Sequence, residues 1–343
     1  MEPGGAKLRR RPSSPRSVLL FALCFLHLAP PLATALPRTH PLRGVVEEVN
    51  ADGPFVGVVM AFDAEERALF DSGFFRPRTR SPSILHLSGR RFHIGTIRDV
   101  DVICVMSGER RLNAGVTVQI LIDVFELRGI VHYGTAGSAN DSFSLGDVSV
   151  PKYLAFTGSW TWMRLNSEKE AKELPELAIG SYTIPVPGEN SLSKVQFKPE
   201  EFFSVGRSME KVFWLEPDTS WYNLAKTLQE LKLQQCENAT YCLPEAPKVL
   251  FGFRGSTADV FVDNAAYREF LFSTFNVSTV DEESAAIVMT ARSNGVPSIV
   301  FRGVSDLAGG GGSTSLSSLA SINAFVVAVE FISLLGRPSP TAC

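Results

Sequence analysis

The chain has few of the residues that bind metal ions or polyanions. Its 343 residues include five His, all scattered, and five Cys without a CxxC pair. Because metal sites need such ligands at close spacing, we expect no metal and no cofactor. The 33 Lys and Arg residues are outnumbered by 36 acidic residues and form no block beyond the N-terminal segment. A nucleic-acid polymer is therefore a poor candidate partner.

Long apolar runs are also scarce, and the clearest one lies near the start. Residues 1–35 combine a basic beginning, the run SVLLFALCFLHLA and the triplet ATA, which is the pattern of a cleaved secretory signal peptide. A membrane anchor is the alternative, but Pro30 and Pro31 interrupt the run before it reaches the roughly 20 residues that span a bilayer. We expect a secreted, extracellular protein without a stable membrane anchor. Cleavage would change the net charge from −3 to −7, because the segment carries five basic residues and one acidic residue.

Export would place the few cysteines in an oxidising compartment. Cys236 and Cys242 flank the polar loop ENATY and could close it as a disulfide, with two free thiols as the alternative. Sequons at Asn140, Asn238 and Asn276 predict N-glycosylation. Exposure is most credible for Asn238, because it lies inside this loop.

Apolar runs bounded by turn residues predict buried strands, and segments with helical spacing follow them. The strands include FVGVVMAF, DVICVMSG, GIVHYGTAG and PSIVFRGVSD, and the helices include DAEERALFDSGF, NAGVTVQILIDVFEL, EESAAIVMTARSNG and SLASINAFVVAVEFISLLG. This alternation indicates an α/β fold. The domain would span residues 55–336, after a polar leader at 36–54 and before a tail at 337–343. A polar insertion at about 159–247 would interrupt it and hold one helix, TSWYNLAKTLQELKL.

Polar or small residues stand where the predicted strands end. Examples are Glu65, Ser107, Gly134 and Asp306. Open α/β sheets bind ligands at the carboxyl ends of their strands. The sequence therefore predicts one shared cleft for a small molecule.

Six motifs in order resemble those of nucleoside phosphorylase-like proteins, and are nearest to the 5′-methylthioadenosine/S-adenosylhomocysteine nucleosidases. They are VGVVMAFDAEE, VMSGERRLNAG, VHYGTAGSAN, STADVFV, TVDEESAA and VFRGVSDLAG. The leader and the insertion are similar to a plant extracellular branch, which holds bark and vegetative storage proteins and secreted purine or cytokinin riboside nucleosidases. The resemblance implies a single-domain, three-layer phosphorylase/hydrolase-like fold with a twisted mixed sheet flanked by helices. It also implies an apoplastic location and a homodimer.

The same resemblance implies hydrolysis of the N-ribosidic bond of a purine nucleoside. Such cleavage passes through an oxocarbenium-like sugar and needs a water-activating base, a holder of the sugar hydroxyls and an acid for the leaving base. Glu65 would activate water, kept ionised by the N-terminus of its helix. Glu283 would accept hydrogen bonds from the ribose hydroxyls, and Asp306 would bind and help to protonate the purine at N7. The alternative for each is an ordinary acid at a helix start, and we expect Asp281 to be such an acid, exposed to solvent.

Further substrate contacts are implied for a set of residues on the surrounding loops: Ser107, Gly108, Thr135, Ala136, Gly137, Phe261, Val262, Glu282 and Arg302. Phe261 would stack on the base, and the backbone of Val262 would hydrogen-bond to it. Arg302 would orient Glu65 or the water. Glu282 stands where the family usually has a methionine packed against the sugar, so the sugar contact and the 5′-substituent preference stay open.

Three other functions stay open. Arg110 and Arg111 could bind phosphate, which would make the enzyme a phosphorylase. A storage protein could keep the fold without turnover, although it would be expected to lose some of the acids. A receptor for extracellular purines would bind without forming product.

Overall fold

The computed structural model describes residues 34–164, 174–179, 192–310 and 316–336. Residues 1–33 of the predicted signal peptide, the tail at 337–343 and the stretches 165–173 and 180–191 of the insertion lie outside the described residues. Helices are α1 (Arg43–Asn50), α2 (Asp63–Asp71), α3 (Arg111–Val124), α4 (Thr219–Ala225), α5 (Ala265–Phe275), α6 (Ser284–Ser293) and α7 (Ser317–Gly336).

Most strands belong to one large mixed sheet, and five form two small sheets in the insertion. The strands of the large sheet are β1 (Phe55–Met60), β2 (Phe75–Pro77), β3 (Ile84–Leu87), β4 (Arg90–Ile97), β5 (Val100–Met106), β6 (Leu127–Ser138), β7 (Val148–Val150), β8 (Tyr153–Phe156), β14 (Val249–Phe251), β15 (Arg254–Thr257), β16 (Val277–Asp281) and β17 (Ser298–Leu307). Those of the insertion are β9 (Trp160–Trp162), β10 (Glu176–Ala178), β11 (Lys194–Phe197), β12 (Glu200–Phe202) and β13 (Glu210–Val212).

Parallel strands form the centre of the large sheet, in the order β5, β1, β6, β17. All of β1 is buried, as expected for a central parallel strand covered on both faces. Val58 and Met60 pack in one core cluster with helix α7, whereas Phe55 and Val59 pack in the other with α3 and α6. Helices therefore cover both faces of a mixed sheet, which confirms the predicted α/β fold.

Helix α7 is, within the described ranges, the one helix long and apolar enough to cross a membrane by length and composition. Its burial is that of a core helix, since 61% of its most apolar window lies inside the protein. Phe325 and Phe331 are fully buried there and pack against the rings of Tyr133 and Phe301.

The predicted leader at 36–54 is part of the folded body. Its helix α1 buries Val46 and Val49 in the cluster that contains Phe55. The buried Asn50 donates from Nδ2 to the Val124 carbonyl at 2.9 Å and accepts the Glu126 N–H at 3.1 Å. The folded domain thus begins before residue 55, because a mostly polar segment still presents one apolar stripe to the core.

The helix predicted in the insertion is shorter than expected, and the expected cross-link is present. Its helix α4 ends at Ala225 and continues only as a short 3₁₀ turn, Lys226–Leu228. Cys236 and Cys242 form a disulfide, which confirms the predicted pair. Asn238 is exposed in the loop that this disulfide closes.

The predicted sequons differ in accessibility. Asn276 is exposed at the end of α5, so glycosylation there and at Asn238 stays a prediction. Asn140 is buried, and its Nδ2, to which a glycan would be attached, donates to Ser278 Oγ at 3.2 Å. Its Oδ1 accepts the Ser142 N–H at 2.9 Å. The prediction for Asn140 is therefore corrected to a structural role within a turn.

Candidate active site

Glu65 is brought to the centre of the molecule by the turn between β1 and α2. Its side chain is 1% exposed. Oε2 accepts the Ala61 N–H at 2.6 Å, and Oε1 accepts the Thr135 N–H at 2.7 Å. Two elements distant in sequence therefore fix this carboxylate in one orientation. Gly134 allows the approach, because a Cβ at that position would lie 2.8 Å from the carboxyl carbon of Glu65.

The acidic triplet joins β16 to α6, and its first member caps the helix. Asp281 Oδ1 accepts the N–H groups of Glu283 at 3.0 Å and Ser284 at 2.9 Å, as well as the hydroxyl of Thr257 at 2.7 Å. The expected solvated position of Asp281 is wrong, since its side chain is 1% exposed. It satisfies the first donors of a helix that begins in the interior.

Glu283 faces the same interior region from the N-cap position of α6. Its Oε1 accepts the backbone N–H of Arg110 at 2.9 Å, and its Oε2 accepts from Arg302 Nη2 at 2.8 Å. The loop that carries Ser107 and Gly108 is thereby tied to the acid predicted to hold the sugar.

Arg302 lies beneath these acids and is completely buried. Besides its bond to Glu283, the guanidinium is 3.3 Å from Asp281 Oδ2 and 3.9 Å from Glu65 Oε1. It also donates from Nε to Ser284 Oγ at 2.8 Å and from Nη1 to the Thr135 carbonyl at 3.0 Å. Arg302 does not line the cavity described below, so its predicted substrate contact is replaced by contacts to the acids themselves.

Burial is the largest influence on the pKa values of Glu65 and Glu283. It raises the pKa of Glu65 to about 7, with Arg302 opposing the shift and Glu283 adding to it. Burial also raises the pKa of Glu283, again opposed by Arg302. A pKa of about 7, raised mainly by desolvation, differs from the expectation that the helix N-terminus keeps Glu65 ionised.

Asp306 reaches the same region from the end of β17. The parallel register with β6 shifts between Val304 and Asp306, which makes Ser305 the extra residue of a bulge. Bulges re-aim side chains, and here the result is an aspartate opposite Gly137. Ser305 Oγ donates to Asp306 Oδ1 at 2.6 Å.

A cavity of about 410 Å³ brings these groups together. Glu65, Glu283 and Asp306 all line it, and so do the predicted residues Thr135, Ala136, Gly137, Phe261 and Glu282. A size of this order suits a drug-sized ligand. Phe261 lies at the edge of the cavity and is 74% exposed, so its apolar ring is available to a bound planar base.

The remaining predicted residues lie near the main cavity but do not line it. Ser107 is buried and donates to the Met60 carbonyl at 3.2 Å, while Gly108 takes a positive φ of 82°. Neither lines the main cavity. Val262 lines a small adjoining cavity of about 30 Å³, which it shares with Phe261, Glu282 and Asp306.

Besides Asp281, two further acids line the cavity without having been predicted as site residues, Glu109 and Asp263. Glu109 directly follows Gly108 in the sequence, and Asp263 directly follows Val262. Their position next to predicted contact residues is the signal that could have identified them. Seven of the residues that line the cavity are acidic, and no Lys, Arg or His contributes to it within the described part of the chain. The carboxylates are those of Glu65, Glu109, Asp263, Asp281, Glu282, Glu283 and Asp306.

Comparison with known proteins agrees with this architecture. The model of the Phosphorylase superfamily matches residues 56–335. The chain belongs to this superfamily. It is 40% identical to bark storage protein A of Populus deltoides over 82% of this chain and 89% of that protein. It is 21% identical to the 5′-methylthioadenosine/S-adenosylhomocysteine nucleosidase of Staphylococcus epidermidis over 74% of this chain and 87% of that protein.

Solved structures share the fold of this superfamily member. The 5′-methylthioadenosine/S-adenosylhomocysteine nucleosidase of Helicobacter pylori superposes with a TM-score of 0.57 at 18% identity, covering 81% of this chain and 97% of that chain. The futalosine hydrolase of the same organism has a TM-score of 0.55 at 19% identity, covering 82% of this chain and 96% of that chain. The predicted resemblance and fold class are thus confirmed.

We expect Arg302→Met to lower the free energy of unfolding by about 3–5 kcal/mol at pH 8, because it leaves buried carboxylates without their cation. The loss should shrink towards pH 5. Without Arg302 the folded-state pKa values of Glu65 and Glu283 rise further above their unfolded values, so the variant loses stability more steeply as pH rises. Urea denaturation at pH 5 and pH 8 measures both effects.

Arg110→Met is the matched control, since this arginine is 64% exposed and pairs with Glu282 at 3.8 Å. It should change the free energy of unfolding by less than about 0.5 kcal/mol. Equal losses in the two variants, or a loss for Arg302→Met that does not depend on pH, would contradict the proposed charge balance.

Proposed function

We propose that this protein is a secreted nucleosidase that hydrolyses the N-ribosidic bond of purine ribosides to free base and ribose. Adenosine, inosine and N6-substituted (cytokinin) ribosides are the proposed substrates. The observation that carries the proposal is that Glu65, Glu283 and Asp306, far apart in the sequence, line one cavity. The names of the nucleosidase and futalosine hydrolase relatives agree with this reaction class.

Each acid has a role that suits its surroundings. Glu65 has a pKa of about 7, which is suited to a general base that takes a proton from water near neutral pH. Each oxygen of Glu283 accepts one protein hydrogen bond and keeps a lone pair for a ribose hydroxyl. Ser305 occupies Oδ1 of Asp306, which leaves Oδ2 for the purine.

The charge of the cavity favours water over phosphate as the nucleophile. Seven carboxylates would repel inorganic phosphate and stabilise the positive charge that develops on the sugar. Neither of the arginines that could have bound phosphate lines the cavity. Arg111 Nε pairs with Asp259 at 2.7 Å, and Arg110 lies 3.8 Å from Glu282.

A storage role is the second candidate, and the 40% identity to a bark storage protein favours it. The retention of Glu65, Glu283 and Asp306 around one cavity weighs against storage as the sole function. Both candidates share the fold, so only turnover separates them.

Substitution of Glu65 by Gln tests the reaction. We expect the wild type to release adenine from adenosine in phosphate-free buffer, and Glu65→Gln to lower kcat by about 10²- to 10⁴-fold, because the general base is lost. Chromatography of the released base measures turnover. Glu66→Gln, on the same helix but outside the cavity, is the control and should keep wild-type turnover. Strict dependence on added phosphate would mean phosphorolysis, and folded wild type without any turnover would mean storage.

The pH profile tests the protonation state of Glu65. Its raised pKa means that the ionised base is lost as pH falls through about 7. We therefore expect kcat/KM to fall about tenfold per pH unit on the acid side of this value. Circular dichroism over the same range controls for unfolding. A profile that is flat from pH 5 to pH 8 would rule out Glu65 as the base.

Secretion rests on the signal-peptide pattern, and the Cys236–Cys242 disulfide agrees with an oxidising compartment. We expect plant cells that express the full chain to release it into the medium, and a chain without residues 1–35 to stay inside. Asn238→Gln should remove one glycan, measured as a gain in gel mobility, whereas Asn140→Gln should leave the mobility unchanged. Retention of the full chain in the cell would refute secretion.

A further inference from the structure

Glu282 differs from the other two members of the acidic triplet in its partners. Each oxygen of Glu283 accepts one hydrogen bond, and Asp281 Oδ1 accepts three. Asp281 Oδ2 is buried and accepts no hydrogen bond within the described part of the chain, but the Arg302 guanidinium lies 3.3 Å from it. Glu282 Oε1 is buried and accepts no hydrogen bond from the described residues. Buried acceptors are almost always satisfied, and leaving one unpaired is costly.

The nearest cation does not supply the missing bond. Arg110 Nε lies 3.8 Å from Glu282 Oε1, which is beyond hydrogen-bond distance, and the Arg110 side chain is mostly exposed. The Glu282 side chain itself is 16% exposed. Burial, with a further contribution from Glu283, raises the pKa of this carboxyl group, and Arg110 opposes the shift.

Glu282 borders the space that a ligand would fill. It lines the main cavity and also the small adjoining cavity, where Phe261 and Asp306 are its neighbours. It is therefore positioned beside both the sugar and the base of a bound nucleoside. A ligand hydrogen-bond donor is the group that this oxygen lacks.

The stereochemistry of a β-riboside identifies that donor. The 2′ and 3′ hydroxyls lie on the face from which water attacks, whereas the 5′ carbon lies on the same face as the base. Glu65 and Glu283, which are both buried, would meet the attacked face. Glu282 lies on the outer side, next to the exposed Arg110 and Phe261, and would meet the 5′ substituent.

We propose, on the basis of the hydrolysis proposed above, that Glu282 is a specificity-determining residue that accepts a hydrogen bond from the 5′-hydroxyl of a purine riboside. A 5′-deoxy or 5′-alkylthio substrate offers no donor there and leaves the buried oxygen unpaired. Sites built to bind a hydroxyl reject analogues that lack it much more strongly than apolar pockets reject an added group. Glu282 thus makes the cavity prefer ribosides that carry an unmodified 5′-hydroxyl.

The test compares adenosine with 5′-deoxyadenosine in wild type, Glu282→Gln and Glu282→Met. We expect wild type to favour adenosine by about 10- to 100-fold in kcat/KM. Glu282→Met should reduce this ratio below about threefold, through a loss for adenosine alone. The ratio for Glu282→Gln should lie between those of wild type and Glu282→Met, because an amide oxygen still accepts a hydrogen bond. Glu109→Gln removes another carboxylate of the same cavity and should keep the wild-type ratio.

Calorimetric titration in a Glu65→Gln background separates this inference from the proposed function, because binding is measured without turnover. Tighter binding of adenosine than of 5′-deoxyadenosine, lost on adding Glu282→Met, supports the role of Glu282 even if the wild type hydrolyses neither. Hydrolysis with a ratio that Glu282→Met leaves unchanged overturns the role of Glu282 and leaves the proposed reaction standing. Equal binding of the two nucleosides also overturns it.

Discussion

The arrangement of the site depends on the burial of one guanidinium among carboxylates. Arg302 is fully buried in the central strand β17, where an unpaired charge would be strongly destabilising. Its partners come from α2, from the end of β16 and from the start of α6. One cation therefore ties α2 to the junction of β16 and α6, which lies more than 200 residues further along the chain.

The number of charges at this centre explains its chemistry. One guanidinium lies 2.8 Å from the nearest oxygen of Glu283, 3.3 Å from that of Asp281 and 3.9 Å from that of Glu65, which is the farthest. Asp281 is also stabilised by three hydrogen bonds to Oδ1. Glu65 is left with the weakest compensation for its burial, and so its pKa rises to about 7. The group that is proposed to exchange a proton with water is thereby the acid farthest from the compensating cation.

Much of this could be predicted from the sequence, because local patterns decide it. The apolar runs of β1, β6 and β17 are buried on both faces, and the polar residues at their ends meet at one edge of the sheet. The role of Arg302 could not be predicted in the same way. A charged residue inside an apolar strand indicates a buried partner, but only the tertiary structure shows which acids are close enough.

The misjudged residues share a physical cause. The capping role of Asp281, the pKa of Glu65 and the burial of Asn140 all depend on how much water the fold removes from a polar group. Sequence spacing describes helix ends and sequons but carries no measure of desolvation. Helix α1 escaped detection for a related reason, since two buried valines in an otherwise polar segment suffice to dock it.

The same desolvation bears on the choice between enzyme and storage protein. Buried ion pairs commonly contribute less to stability than apolar residues of equal volume, so a centre of one arginine and three acids is a costly way to fill a core. Glu65, held near its pKa, and Glu282, with an unpaired oxygen, add to that cost. Such features are expected where a site must bind and transform a ligand, since stability is commonly sacrificed there. A protein used only as a nitrogen reserve would be served as well by the same sheet and helices around an apolar interior.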